Sequence, residues 1–217
     1  MPRPRVKICC IASPAEARLA VEAGASALGL VSAMPSGPGV IDEETIARIV
    51  REVPPGVASF LLTSRQDVAG IVLQQRHTRA DTLQLVDALP EGAHAELRAA
   101  LPGVRLVQVI HVTGAESVAE AVAVAPWVDA ILLDSGNPAA AVKELGGTGR
   151  THDWSLSRRI RDAIGKPLFL AGGLRAQNVA EAIAAVAPYG LDVCSGVRSD
   201  GRLDAAKLDA FFRAARA

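Results

Sequence analysis

Short apolar runs alternate with alanine-rich amphipathic stretches along the whole chain, and this alternation constrains the fold more than any other feature. Strand-like runs stand at 5–8, 27–31, 58–62, 82–85, 105–111, 130–133, 167–171 and 191–194, each followed by a helical pattern. Strands that alternate with helices read as βαβ units with a parallel sheet. Start and stop signals punctuate them. Ser13 and Glu16 bracket Pro14 as a capping box, and Gly24 supplies a stop. Asp42 can cap the next helix with Ile41 and Ile46 as its staple, and Thr113 with Glu116 reads as a further capping box. Helices are also expected at about 175–187 and from about 204 to the C-terminus. Pro90 and Pro102 interrupt the pattern of the fourth unit.

Eight such units without a break in composition favour a closed barrel over an open doubly wound sheet, which would leave three units unused. The expectation is an α/β chain forming a single (β/α)8 TIM barrel domain over residues 1–217. Hydrophobic residues make up 50% of the chain, enough for a sizeable core. Lys plus Arg and Asp plus Glu each total 23, so no charge excess points to nucleic acid or an anionic membrane. Aromatic content of 3% argues against a base-stacking surface. No apolar run reaches the roughly 20 residues of a membrane span, and no secretory leader is evident at the N-terminus. Three cysteines, two of them adjacent, do not make a disulfide framework, and a reduced cytoplasm is the expected location.

Two strand ends carry candidate chemistry. Cys9 closes the first strand and Asp134 the sixth, so a barrel would bring both to one rim. A thiolate can take a proton and a carboxylic acid can give one. Lys7 shares the face of Cys9, where an ammonium would favour the thiolate and join the substrate site. Taken alone, Cys9 reads better as a core thiol and Asp134 as a turn cap; their shared rim brings the acid–base reading level with these. Gly172-Gly173 follows strand seven and Ser195-Gly196 strand eight, where phosphate sites of such barrels recur. The connection 135–153, with Gly146-Gly147-Thr148-Gly149, is long enough to read as a substrate loop or lid. His111 either lines the pocket or serves the structure, while His77 and His94 read as surface residues. No metal-ligand spacing and no nucleotide fingerprint occur, so neither a metal nor a cofactor is expected.

Taken together, Val6-Lys7-Ile8-Cys9, Leu132-Leu133-Asp134, Gly146 to Gly149 with Asp153-Trp154, Ala171 to Leu174 with Asn178-Val179, and Asp192 to Val197 resemble the phosphoribosylanthranilate isomerase family. The resemblance implies a (β/α)8 barrel, a phosphosugar substrate, no cofactor, and an Amadori rearrangement in tryptophan biosynthesis. It makes Cys9 the general base and Asp134 the general acid, with Lys7, Gly172, Gly173, Ser195 and Gly196 at the substrate. The chain is a divergent member by this pattern. Gly39 falls where the family carries the arginine for the anthranilate carboxylate, and Val86 where it carries a histidine. Cys10 replaces the usual glycine after the base, and Arg198 replaces an acidic residue. Either another cation, such as Arg175 or Arg198, takes the carboxylate, or the substrate is another phosphorylated sugar or aminosugar; without a replacement cation, turnover of phosphoribosylanthranilate is expected to be weak and Gly39→Arg to improve it. A non-catalytic phosphosugar-binding barrel is the third reading.

Overall fold

The computed structural model describes residues 3–136 and 151–216. Its centre is a closed barrel of parallel strands in sequential order: β1 (Arg5–Ile8), β2 (Ala27–Val31), β3 (Ala58–Thr63), β4 (Thr82–Leu85), β5 (Arg105–His111), β6 (Ala130–Asp134), β7 (Leu168–Leu170) and β8 (Gly190–Val193). Closure is made by β1 on β8, with Lys7 opposite Asp192 and Ile8 opposite Val193. The helices are α1 (Pro14–Ala23), α2 (Glu43–Glu52), α3 (Val68–Thr78), α4 (Ala93–Ala100), α5 (Glu116–Val124), α6 (Trp154–Ala163), α7 (Val179–Val186) and α8 (Ala205–Arg216). A short antiparallel hairpin, β9 (Arg198–Ser199) with β10 (Arg202–Leu203), precedes α8. The (β/α)8 reading therefore holds, the proline-interrupted fourth unit included. Most of the connection expected at 135–153, with Gly146 to Gly149, lies outside the described residues.

Strand alternation divides the apolar side chains into two layers. Ile8, Leu28, Leu61, Leu83, Ile131 and Leu170 point outward and pack with the helices in one continuous cluster. Phe60, Val107, Val109, Leu132 and Phe169 point inward and fill the barrel. Phe60 and Phe169 meet edge to face with centroids 5.9 Å apart, and Gly190 makes room for the Phe169 ring, which a Cβ there would meet at 2.5 Å. The interior is a packed core rather than a pore, as the layered filling of such barrels requires.

Local signals behave as physical chemistry dictates, with instructive departures. Asp42 accepts from the Thr45 N–H at 2.6 Å and Ser13 from the Glu16 N–H at 3.2 Å, and Gly24 ends α1 at φ +106°. The Thr113–Glu116 box does not form. The Thr113 hydroxyl bonds the Glu116 carboxylate at 3.0 Å, and α5 starts from Ala115 with no side-chain cap. The helix expected from 175 begins only at Val179, because Asn178 bonds both the Arg175 N–H at 2.8 Å and the Gly173 carbonyl at 3.0 Å and shapes a turn.

Glu16 does more than complete a cap. It accepts from the Ala12 and Leu203 N–H groups and forms a two-pronged pair with Arg198, both prongs at 3.0 Å. This ties α1 to the hairpin after β8. Burial pushes the Glu16 carboxyl up, but Arg198 and the two N–H groups outweigh it and hold it below the usual carboxylate range. A lowered folded value means stability that is present above the unfolded value and is lost as pH falls through the folded one. Glu16→Gln should accordingly lower the Tm at neutral pH, and the gap to the wild type should close as pH drops through the carboxylate range. A gap independent of pH, in thermal melts from neutrality to acid, would show that the charge of Glu16 contributes nothing.

Candidate active site

The C-terminal ends of the strands open into a cleft lined by Cys9, Gln84, Asp134, Gly172, Asp192 and Ser195, together with Cys10, Cys194 and the loop after β2. Cys9 and Asp134 thus share one cleft, as their strand-end positions predict. Cys9 is placed by its N–H bond to the Val193 carbonyl at 2.8 Å, and Asp134 Oδ1 accepts from the Ser135 N–H at 2.7 Å. A Cβ at Gly29 would sit 2.8 Å from Cys9 Sγ and 2.9 Å from Lys7 Nζ, so glycine on β2 gives these two side chains their room.

Lys7 takes a different part from the one expected. It is wholly buried beneath the cleft rather than lining it, and its ammonium pairs with Asp192 at 2.9 Å and lies 5.4 Å from the centre of the Phe60 ring. Burial disfavours its charge, but Asp192, and then Cys9, more than offset this and raise its proton affinity. Burial pushes the Asp192 carboxyl up, with Asp134 adding to the rise and Lys7 pulling it back. Asp192, in the floor of the cleft, is the charged neighbour that residue-by-residue reading missed; its position opposite Lys7 is visible only once strands one and eight are paired.

The glycine-bearing turns lie where expected. Gly172 and Gly173 have φ of +83° and +61°, which side chains resist. A Cβ at Gly196 would stand 2.0 Å from the Leu174 carbonyl oxygen, so the turns after β7 and β8 are pressed together. Gly173, Arg175, Ser195, Gly196 and Lys207 line an adjoining cavity. His111 is tied to the Val86 carbonyl at 3.0 Å, the structural of its two readings. His94 is not a free surface group, since its Nε2 lies 3.1 Å from the Gln108 side chain. His152, two residues before α6, bonds Ser157 at 2.7 Å; burial lowers its pKa even though Asp134 pulls it upward.

Three of the departures from the family pattern, Cys10, Gly39 and Arg198, touch one another. Cys10 holds a left-handed backbone at φ +62°. Its Cβ and Cα would lie 2.5 and 2.9 Å from a Cβ at Gly39, which itself has φ +78°. Arg198 donates to the Cys10 carbonyl while paired with Glu16. Two sequence expectations are thereby corrected. Arg198 turns both terminal nitrogens to this clamp and does not line the cleft where a substrate carboxylate would lie, and Gly39→Arg would drive a side chain into Cys10.

The comparisons bear on the whole chain. Residues 6–214 match the family model for N-(5'-phosphoribosyl)anthranilate (PRA) isomerase. The chain belongs to that family. An N-(5'-phosphoribosyl)anthranilate isomerase of Methanocella arvoryzae is 36% identical over 91% of both chains, and one of Halobacterium salinarum is 37% identical over 98% of this chain and 96% of its own. The crystal structure of phosphoribosyl anthranilate isomerase from Thermotoga maritima superposes with a TM-score of 0.84 at 30% identity, covering 98% of each chain. Another solved isomerase, in complex with reduced 1-(o-carboxyphenylamino)-1-deoxyribulose 5-phosphate, gives a TM-score of 0.82 at 28% identity, again over 98% of each.

Two stability outcomes follow from the geometry. Asp192→Asn should cost about 3–5 kcal/mol in urea denaturation, because it leaves a buried ammonium without its counter-charge. A cost no larger than that of an exposed pair, up to about 1 kcal/mol, would mean that water reaches Lys7. Gly39→Ala should destabilise the wild type but far less a Cys10→Gly background, a coupling of about 1 kcal/mol or more in a double-mutant cycle. Additive effects would show that the two residues do not press on one another.

Proposed function

We infer that the protein catalyses the Amadori rearrangement of N-(5'-phosphoribosyl)anthranilate to 1-(o-carboxyphenylamino)-1-deoxyribulose 5-phosphate, the isomerase step of tryptophan biosynthesis. The observation that carries this is one cleft holding Cys9 from the end of β1 and Asp134 from the end of β6, beside Gly172 and Ser195, in a chain of this family. In the reaction Asp134 gives a proton to the ribose ring oxygen, and the ring opens toward a Schiff base. Cys9 then takes the proton from C2′, and the resulting enolamine tautomerises to the ketone. Both steps are proton transfers and need no cofactor. The N–H groups of the turns at Gly172-Gly173 and Ser195-Gly196 hold the phosphate, and that remote binding fixes the reacting carbons. Lys7 serves as a positioning residue: its 2.9 Å pair with Asp192 holds that carboxyl group in place in the floor of the cleft. We place the reaction in the cytoplasm, where unpaired cysteines persist.

Arg175 lies at the phosphate pole, among the residues lining the cavity with Gly173 and Ser195, so its charge suits the phosphate better than the anthranilate carboxylate. Among the described residues that line the cleft, none is cationic. That observation favours a second reading, in which the same pair isomerises a phosphorylated aminosugar without an aryl carboxylate. Relative kcat/KM for the two substrate classes separates them, and rescue of a tryptophan auxotroph lacking the isomerase supports the first.

Steady-state kinetics test the acid–base assignment. Cys9→Ala and Asp134→Asn should each lower kcat by about 10²–10⁴-fold. KM should change little, because neither residue supplies ground-state binding. Retention of more than a tenth of wild-type kcat by either variant would remove that residue from the proton transfers.

A further inference from the structure

Two thiols outside the proposed chemistry stand at the junction of its parts. Cys10 follows the proposed base directly, and Cys194 precedes Ser195-Gly196 directly. Their Sγ atoms are 2.6 Å apart and both cysteines are free. The backbone dictates this meeting. Strands β1 and β8 run in register up to Ile8 and Val193, and the left-handed turn at Cys10 then swings its side chain across to β8. The contact therefore spans the seam where the barrel closes. Both residues line the cleft, which gives a small reagent a route to them, and Cys194 is only half-buried.

We propose that Cys10 and Cys194 form a reversible disulfide that locks the turn carrying Cys9 to the turn carrying Ser195 and Gly196, and so shuts down turnover. The loss of turnover rests on the function proposed above; the cross-link does not.

The chemistry balances with hydrogen peroxide as oxidant. Cys194 is the entry point. Its bond to Cys10 draws its pKa down, burial pushes it up, and the Arg198 guanidinium favours the thiolate further. The Cys10 thiol, by contrast, is pushed well up by its bonds to Cys194 and Cys9 and by burial. The Cys194 thiolate attacks one peroxide oxygen, the O–O bond breaks, and hydroxide leaves, giving a sulfenic acid. Cys10 attacks that sulfur, an S–S bond replaces the S–O bond, and the Cys10 proton leaves with the hydroxyl as water. The sulfur pair loses two electrons in total and the peroxide gains them. A dithiol reverses the link by thiol–disulfide exchange. Disulfides in a reducing compartment are mostly transient and regulatory, which fits a link of this kind.

The test treats the full chain with hydrogen peroxide, blocks remaining thiols with maleimide, and maps linked peptides by mass spectrometry alongside turnover. The expected result is one maleimide-reactive thiol per chain and a link between the segments that follow Lys7 and Arg175. Cys9→Ala should keep the link, while Cys10→Ser and Cys194→Ser should lose it. Turnover should fall in step with the link and return with dithiothreitol. Three reactive thiols after peroxide, or a link that survives in Cys10→Ser, would overturn the proposal. A complete link with turnover unchanged would overturn the lock and leave the proposed function standing. If the reduced wild type turns over no phosphoribosylanthranilate, that function fails, while peptide mapping still decides the dithiol.

Discussion

The buried pair of Lys7 and Asp192 is the interaction on which the rest of the site depends. It spans the β1–β8 seam, the hydrogen-bonded strand pairing that, among the described residues of the barrel, joins strands far apart in sequence. A buried ammonium without a counter-charge is strongly destabilising, so any arrangement that opens this seam strands Lys7 in an apolar interior. The pair therefore couples barrel closure to the state of the cleft. Below it lie Phe60 and Phe169; above it lie Cys9, Asp134 and Cys194. The interior thus passes from an apolar floor through one ion pair to a reactive mouth. Each layer requires a glycine: Gly190 clears the Phe169 ring, and Gly29 clears Lys7 and Cys9.

Three of the residues that set this chain apart from the family pattern, Cys10, Gly39 and Arg198, form one physical unit. The left-handed backbone at Cys10 would ordinarily take glycine, since a Cβ there costs roughly 1–2 kcal/mol. Here the turn is held from outside. Arg198 grips the Cys10 carbonyl, and Glu16 fixes Arg198 from α1. The side chain at Cys10 then fills the space in which residue 39 would need a Cβ, so glycine follows at 39. The absent arginine in the loop after β2 is thus the far end of a chain of contacts that begins at the first helix. A single substitution cannot restore it without undoing that chain.

How much of this was legible in the sequence follows from the range of the forces involved. Strands and helices rest on local periodicity and caps, and the eight units were readable even where prolines interrupt the fourth. The shared cleft of Cys9 and Asp134 was readable because a parallel barrel sends every strand end to one rim. Lys7 was misread as lining the site because periodicity gives a face but not a depth along it, and depth decides whether an ammonium meets substrate or a carboxylate. Arg198 was misread for a similar reason: its partner Glu16 lies 182 residues away and looked fully used as a cap. Contacts across the seam have no local signature, which is also why Cys10 and Cys194 looked like unrelated thiols.

The division of labour around the mouth gives the seam a second significance. In the proposed mechanism the proton transfers belong to side chains at the ends of β1 and β6, while the phosphate is held by backbone at the turns after β7 and β8. Side chains and backbone fail differently. A side chain can be swapped singly, but the turns after β7 and β8 are interlocked, with Gly196 seated against the Leu174 carbonyl. Any change in the turn after β8 therefore propagates to the turn after β7. The first and last turns are neighbours only because the barrel closes, and they bring the proposed base and one arm of the proposed phosphate cradle side by side. Relative motion between them alters the distance from the sugar's reacting carbon to its anchored phosphate, on which near-attack geometry depends. The β1–β8 seam is thus where fold closure and reaction geometry become the same constraint.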